Sequence, residues 1–338
     1  MKKQAGMTKK ERVEAAVRGR EVDWIPFSFW SHFPDVDMDP IKNAEHTCSM
    51  YKAYDLDLVK TMNNGMYSVE DYGVSVDYSA INQGGVAAVT RSPIQRPQDW
   101  ERIQPLSVNK GALARELAYL DALLKETNHE VPVLFTVFSP LTTAAKLCPD
   151  FLAHIQGGWD KEVKQALSII TETTCHLVQR VIEMGADGIF FATQLASYKK
   201  MSDTMYKEYG VPYDTAVLSA SSGWCNAIHA HGEDTMFSIL RKYPAQIYNW
   251  HAFESLPEPG EGEALSGKCV MTGIDRRHIT AGQKNEIEHT LYETIRQTKG
   301  RHLIISPGCV IRYPLDPAML SFVRRVKEEI EDRLSKRK

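Results

Sequence analysis

The sequence lacks the features that mark several specialised classes of protein. It has no apolar run of about 18 residues, so no segment is predicted to span a membrane. It carries 40 Lys and Arg against 43 Asp and Glu, a net charge of −3, and it has no long basic run. This balance argues against a nucleic-acid-binding protein. The start, Met1-Lys2-Lys3, is followed by Gln4-Ala5-Gly6 and more charges rather than an apolar core, so no secretory signal is expected.

The sequence is also poor in cysteine. The six cysteines are scattered and show no C-x-x-C spacing; they are Cys48, Cys148, Cys175, Cys225, Cys269 and Cys309. In a chain of 338 residues this pattern indicates reduced thiols in a cytoplasmic protein, with at most one or two of them taking part in chemistry.

Short apolar runs alternate with longer amphipathic stretches along the whole chain. The apolar runs predict eight strands, at Asp23–Trp30, Leu56–Met62, Val131–Phe138, Ala186–Thr193, Ala227–His231, Gln246–Ala252, Lys268–Ile274 and His302–Ser306. Residues 161–184 and 317–334 show the 3.6-residue spacing of helices. Eight strands separated by helices predict an α/β fold, a (β/α)8 TIM barrel. The alternative is a doubly wound open sheet, which is disfavoured because no G-x-G-x-x-G follows the first strand.

The connection between the second and third predicted strands is unusually long. Within it, residues 72–90 look like a hairpin around Gly84-Gly85, and a helix is expected near residues 111–125. We interpret this connection as an insertion at the mouth of the barrel and not as a separate domain. The prediction is therefore one domain over residues 1–338.

The strongest candidate site lies at the ends of two predicted strands. In a barrel, residues at the carboxyl ends of the strands face the active site. His229 and His231 end the fifth strand, and residues two apart on a strand point to the same side. Gly232 permits a sharp turn after them, and Cys309 follows the eighth strand. Two imidazoles and a thiolate are a three-ligand zinc set with an open fourth position, a set that suits copper less well.

A simpler interpretation of the same residues stays open. The two histidines could hydrogen-bond to neighbouring backbone, and a single cysteine is most often a small buried apolar residue.

Other polar side chains at strand ends are weaker candidates. His251 and Asp275 could transfer protons, and a further group could line a substrate site: His32, Asn63, Asn64, Tyr198, Trp250, Arg276 and Arg312. The arginines Arg276, Arg277 and Arg312 could clamp a carboxylate or phosphate, or form ordinary surface salt bridges.

The chain resembles the uroporphyrinogen-decarboxylase-like family over nearly its whole length. The segments that carry the resemblance include Thr8–Val13 near the start and, most specifically, Ile228–Asp234, Met271–Asp275 and Ile304–Ile311. That family includes the heme-pathway decarboxylase and the cobalamin-dependent methyltransferases that pass methyl groups to thiols such as coenzyme M. The resemblance implies a single (β/α)8 barrel.

Departures from the family pattern favour its methyltransferase branch. The decarboxylase has arginines after the first strand that grip the substrate's carboxylates, whereas this chain has Phe27–Phe33 without an arginine. Where the decarboxylase has a catalytic Asp, this chain has Asn63-Asn64. The methyltransferase branch binds zinc through His-x-Cys and a distant Cys. His229 and Cys309 match that motif, while His231 replaces the first Cys and leaves the choice of methyl acceptor open.

These observations give three functional hypotheses. The first is a zinc-dependent methyltransferase that works with a separate corrinoid protein, because the cobalamin-binding string D-x-H-x-x-G is missing from this chain. The second is a metal-free decarboxylase or lyase of a tetrapyrrole or a smaller carboxylic acid. The third is a non-catalytic corrinoid or tetrapyrrole binder. Because members of the family often form dimers, a homodimer is also expected, by analogy alone.

Overall fold

The computed structural model describes residues 6–336, so the predicted absence of a secretory signal at Met1–Ala5 concerns residues outside this range. Seven parallel strands form one sheet in their order along the chain. They are β1 (Val59–Lys60), β4 (Val133–Phe138), β5 (Gly188–Thr193), β6 (Ala227–Ala230), β7 (Ile247–Trp250), β8 (Cys269–Ile274) and β9 (Leu303–Pro307). The α/β class and the parallel sheet are confirmed, with seven strands in place of the eight predicted.

The first predicted strand, Asp23–Trp30, is not a strand in the structure. It makes a single parallel bridge, from Phe27 to Ile305. Its backbone nevertheless contacts both edges of the sheet, because Ser28 N–H donates to Ile305 O at 2.9 Å and Asp57 N–H donates to Phe27 O at 2.8 Å. Pro26 has no N–H to extend the ladder toward Leu303, and Pro307 has none to extend it beyond Ile305, so the pairing stops at one bridge.

The helices lie mainly between the strands. Their bounds in the described chain are α1 (Lys9–Val17), α2 (Pro40–Tyr54), α3 (Tyr67–Glu70), α4 (Gly111–Glu126), α5 (Pro140–Leu147), α6 (Phe151–Gln156), α7 (Asp160–Glu183), α8 (Asp203–Tyr209), α9 (Val211–Ser219), α10 (Phe237–Leu240), α11 (Pro259–Ser266), α12 (Arg276–Thr280), α13 (Lys284–Thr298) and α14 (Pro317–Ser335). Helices α7 and α14 match their predicted bounds within one residue. Asp316 caps α14, since its carboxylate accepts from Ala318 N–H at 2.9 Å.

The long connection between β1 and β4 contains the elements that the sequence predicts there. An antiparallel pair, β2 (Ser75–Asp77) and β3 (Ala88–Arg91), forms the hairpin, and α4 follows it. Arg312, after β9, donates to Gly84 O at 2.9 Å and to Gly85 O at 3.3 Å. The hairpin tip is therefore tied to the segment after β9, and its role as an insertion at the mouth stays a prediction.

Alternation along the strands separates two apolar cores. Tyr248 and Trp250 of β7 pack in the larger core, which also contains residues of the surrounding helices. Ile247 belongs to a smaller cluster on the inner face, together with Phe190 and Met271. Inner-face positions of β7 are therefore 247 and 249. Within residues 6–336, every helix is too short or too polar to cross a bilayer.

Candidate metal centre

Two of the predicted ligands come from β6 and the residue that follows it. His229 lies on β6, directly opposite Asn249 of β7, and is buried. His231 follows the strand, and Gly232 turns the chain with φ +92°, as the sequence predicts. Both imidazoles lie on the same side of the sheet, with ring centroids 5.7 Å apart.

The third predicted ligand is brought in by a loop that packs tightly on β7. Gly308 lies so close to that strand that an added Cβ would be 2.5 Å from Trp250 O and 3.0 Å from His251 Cα. Glycine therefore lets the loop approach. The buried Cys309 that follows has its Sγ 3.6 Å from His231 Nδ1.

The structure brings all three predicted ligands together and adds a fourth side chain. One ligand atom each from His229, His231, His251 and Cys309 lies within 4.8 Å of the others. His251, which the sequence suggested for proton transfer, contacts His231 with a centroid distance of 4.8 Å. These four residues are called the His/Cys cluster below.

The chemistry of the His/Cys cluster fits zinc. Imidazole nitrogen and thiolate sulfur are ligands that Zn²⁺ commonly takes in proteins. Both ring nitrogens of the buried His251 lack a hydrogen-bond partner within the described chain. A buried polar atom without a partner calls for an explanation, and the binding of an ion is one of the recognised ones. Both the set of possible ligands and the ring nitrogens without a partner thus fit a bound zinc ion.

The electrostatics of the cluster favour a thiolate beside imidazoles. Burial lowers the pKa of His229 to about 4, so its ring is neutral at pH 7. Burial opposes ionisation of Cys309, but interaction with His229, His231 and His251 outweighs it and holds the thiol pKa well below its usual value. A neutral imidazole and an ionised thiol are the forms that bind a metal ion.

His251 is also linked to an acidic residue outside the cluster. Its Nδ1 lies 3.4 Å from Glu254 Oε1, and Arg276 Nε lies at the same distance from that oxygen. Burial lowers the pKa of His251, but Cys309 and Glu254 outweigh burial and raise it to about 9. The same contact with His251 lowers the pKa of Glu254 to about 2.

A buried amide that sequence reasoning missed completes the surroundings of the cluster. Asn249 Oδ1 lies 2.5 Å from His229 Nδ1, and its amide nitrogen donates to Met271 O at 2.6 Å and Pro307 O at 3.1 Å. One signal was available in the sequence, because Asn249 stands two residues before His251 and therefore on the same strand face.

The other charged candidates are engaged in contacts of their own. The Asp275 carboxylate accepts from the Arg277 backbone N–H at 2.9 Å and from its guanidinium at 2.6 Å, so it caps α12. Arg276 faces Glu254, and Arg312 holds the hairpin carbonyls. Each of these three guanidinium groups thus has an acceptor within the protein.

The neutral candidates lie in several different surroundings. Trp250 is fully buried in the larger apolar core, and its indole N–H donates to Pro257 O at 3.1 Å. Asn63 is buried and donates to the Glu116 carboxylate at 2.9 Å. The remaining positions are as follows: Asn64 accepts from Met66 N–H at 2.9 Å, His32 Nδ1 lies 2.9 Å from Asp37, and Tyr198 is 48 % exposed.

The chain is similar to known proteins in both sequence and fold. It is 20 % identical over 227 residues to the methylcobamide:CoM methyltransferase MtbA of Methanosarcina acetivorans, and 22 % identical over 232 residues to that of Methanosarcina mazei. Each match covers 63 % of this chain and 66 % of the relative's length. A solved methyltransferase from Methanosarcina mazei shares the fold, with a TM-score of 0.82 at 18 % identity over 97 % of this chain and 99 % of that one.

A family profile covers a longer stretch than the two sequence matches to the Methanosarcina relatives. The profile described as uroporphyrinogen decarboxylase (URO-D) matches residues 8–329, which confirms the family resemblance that the sequence motifs indicated. This match spans nearly the whole chain and includes all four residues of the His/Cys cluster. The chain therefore belongs to the uroporphyrinogen decarboxylase (URO-D) family.

Proposed function

We propose that the chain is a zinc-dependent methyltransferase that works with a separate corrinoid protein. The observation that carries this proposal is the convergence of three imidazoles and one thiol within 4.8 Å of one another, at a buried place next to the ends of β6, β7 and β9. The names of the two curated relatives, methylcobamide:CoM methyltransferases, support the reaction class.

In this proposal His229, His231 and Cys309 hold the zinc ion. When bound, zinc supplies Lewis acidity, which lowers the pKa of a thiol acceptor or polarises a methoxy oxygen. His251, the remaining side chain of the cluster, would be a fourth group able to hold the ion. Because its Nδ1 lies 3.4 Å from the Glu254 carboxylate without a hydrogen bond to it, His251 can turn toward Glu254 and make room for the acceptor.

The protein's own residues also handle the proton that a thiol acceptor must release. The His251 ring faces the cluster on one side and the Glu254 carboxylate on the other. We propose that His251 receives the acceptor's proton when Cys309 is engaged by the ion, because the thiolate would then no longer raise the pKa of His251. Glu254, held by Arg276, would stabilise the resulting imidazolium. Asp275, the other predicted proton carrier, caps α12 and pairs with Arg277, which leaves His251 as the better candidate.

The methyl donor would reach this site on another protein. The chain has no D-x-H-x-x-G string, and the relatives are named for a methylcobamide. We propose that residues 1–338 form one domain, a closed (β/α)8 barrel in which Pro26–Ser28 lies between β9 and β1. The corrinoid partner would bind to this barrel.

Metal removal tests the proposal directly. Tag-free protein is expected to hold about one zinc per chain and to demethylate methylcobalamin with a thiol, as followed by absorbance. Chelation is expected to abolish both properties, and added zinc to restore them. His231→Ala and Cys309→Ser should lose the metal, whereas Cys175→Ser, a thiol on α7 outside the cluster, should keep it.

Two results would contradict the proposal. One is far less than one transition metal per chain together with no effect of His231→Ala. The other is carboxylate binding that survives chelators and is lost in Arg312→Ala, which would favour the decarboxylase hypothesis instead.

A further inference from the structure

Asn249 connects the strands that carry the His/Cys cluster. It lies on the inner face of β7 and is completely buried. Its side chain contacts His229 of β6, the carbonyl of Met271 in β8 and the carbonyl of Pro307 at the end of β9. One amide therefore spans four neighbouring strands, and Pro307 lies two residues before Cys309.

The two carbonyl contacts determine which way the amide points. Met271 O and Pro307 O can only accept hydrogen bonds, so the group that faces them must be the amide NH₂. The reversed amide would place its oxygen against two carbonyl oxygens in a buried site. Asn249 Oδ1 therefore faces His229 Nδ1, at 2.5 Å.

This orientation decides which nitrogen of His229 carries the proton. Oδ1 is an acceptor, so a neutral imidazole at this distance must present Nδ1–H to it. Nε2 then keeps its lone pair. Phe190 stacks on the His229 ring, with centroids 5.2 Å apart and planes 25° apart, and so helps to hold the plane of the ring.

We propose that Asn249 is a positioning residue that holds His229 as the Nδ1–H tautomer, so that Nε2 is the nitrogen offered to a metal ion. Through the Pro307 carbonyl, Asn249 also positions the loop that carries Cys309. The statement about the tautomer concerns the protein alone, while the statement about the metal rests on the proposed function. Residues of this kind behind a ligand typically change metal affinity by about 10–100-fold when they are mutated.

Nitrogen NMR of metal-free protein tests the tautomer without any catalytic assay. In ¹⁵N-labelled protein at neutral pH, His229 is expected to show a proton on Nδ1 and an unprotonated Nε2. Asn249→Leu, which keeps the size but removes the acceptor, should give a mixture of tautomers and weaken zinc binding about 10–100-fold in a chelator competition. Asn43→Leu is the matched control, because Asn43 is also buried and donates to a carbonyl, Met62 O, outside the cluster.

The outcomes separate this inference from the proposed function. A proton on Nε2 in the wild-type protein would overturn the inference even if zinc binds, and this measurement needs no variant to fold. An unchanged tautomer and affinity in Asn249→Leu would also overturn it. The expected tautomer in a protein that binds no zinc would instead refute the proposed function and leave the role of Asn249 standing.

Discussion

At the scale of single residues, the cysteines show how neighbours decide chemistry. Cys225, Cys269 and Cys309 are all buried, and burial alone raises a thiol pKa. The pKa values of Cys225 and Cys269 are indeed raised, whereas that of Cys309 is lowered by three surrounding imidazoles. Burial therefore does not distinguish Cys309 from Cys225 and Cys269. The neighbouring imidazoles distinguish it.

The buried carboxyl of Asp214 permits a prediction about how the stability of the protein depends on pH. Burial raises the pKa of Asp214 from 3.8 to about 7, although Tyr206 and Tyr243 donate to its carboxylate at 2.5 and 2.9 Å. Between pH 3.8 and about 7 the folded protein keeps a proton on Asp214 that the unfolded chain releases. The free energy of unfolding therefore falls as pH rises through this range. Asp214→Asn should make the free energy of unfolding less dependent on pH over this range. Urea unfolding at pH 5, 6, 7 and 8 measures the effect.

The control for Asp214 is an exposed acid on a neighbouring helix. Asp203→Asn on α8 changes a solvent-exposed carboxylate and should leave the shape of the pH profile unchanged. If wild-type stability does not decrease between pH 5 and 7, or if both variants behave alike, the buried carboxyl is not the source of the pH dependence.

At the scale of elements, the approach of the β9 loop to β7 is the critical contact. Gly308 allows it, because a Cβ would lie 2.5 Å from Trp250 O. Gly308→Ala should therefore push the loop away, at a cost of about 1–3 kcal/mol in the free energy of unfolding. Since Cys309 is the next residue, the zinc content should fall as well. Denaturant unfolding and metal analysis measure the two effects.

Another loop glycine provides the comparison for Gly308. Gly65 follows β1 and has open space where a Cβ would be placed. Gly65→Ala should change both stability and zinc content little. Normal zinc binding by Gly308→Ala would show that the loop tolerates displacement and that the close contact is not needed for the site.

At the scale of the whole molecule, a buried arginine holds the segment at which the two sheet edges meet. Arg12 of α1 donates to Asp23 at 2.6 Å and to Asp57 at 2.7 Å, and Asp57 also accepts from Phe27 N–H at 2.9 Å. Arg12 and Asp57 are both buried. Removing one partner of such a pair leaves an uncompensated charge, which typically costs about 3–5 kcal/mol.

Arg12→Met is therefore expected to lower the free energy of unfolding by about 3–5 kcal/mol. Arg18→Met, near the end of the same helix with 62 % of its side chain exposed, should change it by less than about 0.5 kcal/mol. Chemical denaturation of both variants measures the difference. Equal stability of the two variants would mean that Arg12 does not hold the two edges of the sheet together.

The segment between the two edges of the sheet is also where the prediction from the sequence failed. The apolar run Asp23–Trp30 predicts a strand, but strand formation requires backbone partners along its length. The structure supplies only one bridge to β9 there, because Pro26 and Pro307 both lack the N–H that would extend the pairing on either side. Interior strands such as Val133–Phe138 were predicted well, since buried parallel strands are continuous apolar runs that can be recognised locally.

The sequence by itself determined the alternation of strands and helices, the family, and the three residues His229, His231 and Cys309. Each of these depends on local spacing or on residue type at the end of a strand. Only the tertiary structure decided that His251 joins them and that Asn249 stands behind His229. The physical reason is register: His229 lies opposite Asn249 because two separate segments pair at that offset, and hydrogen bonds between distant strands leave no periodic trace in the sequence.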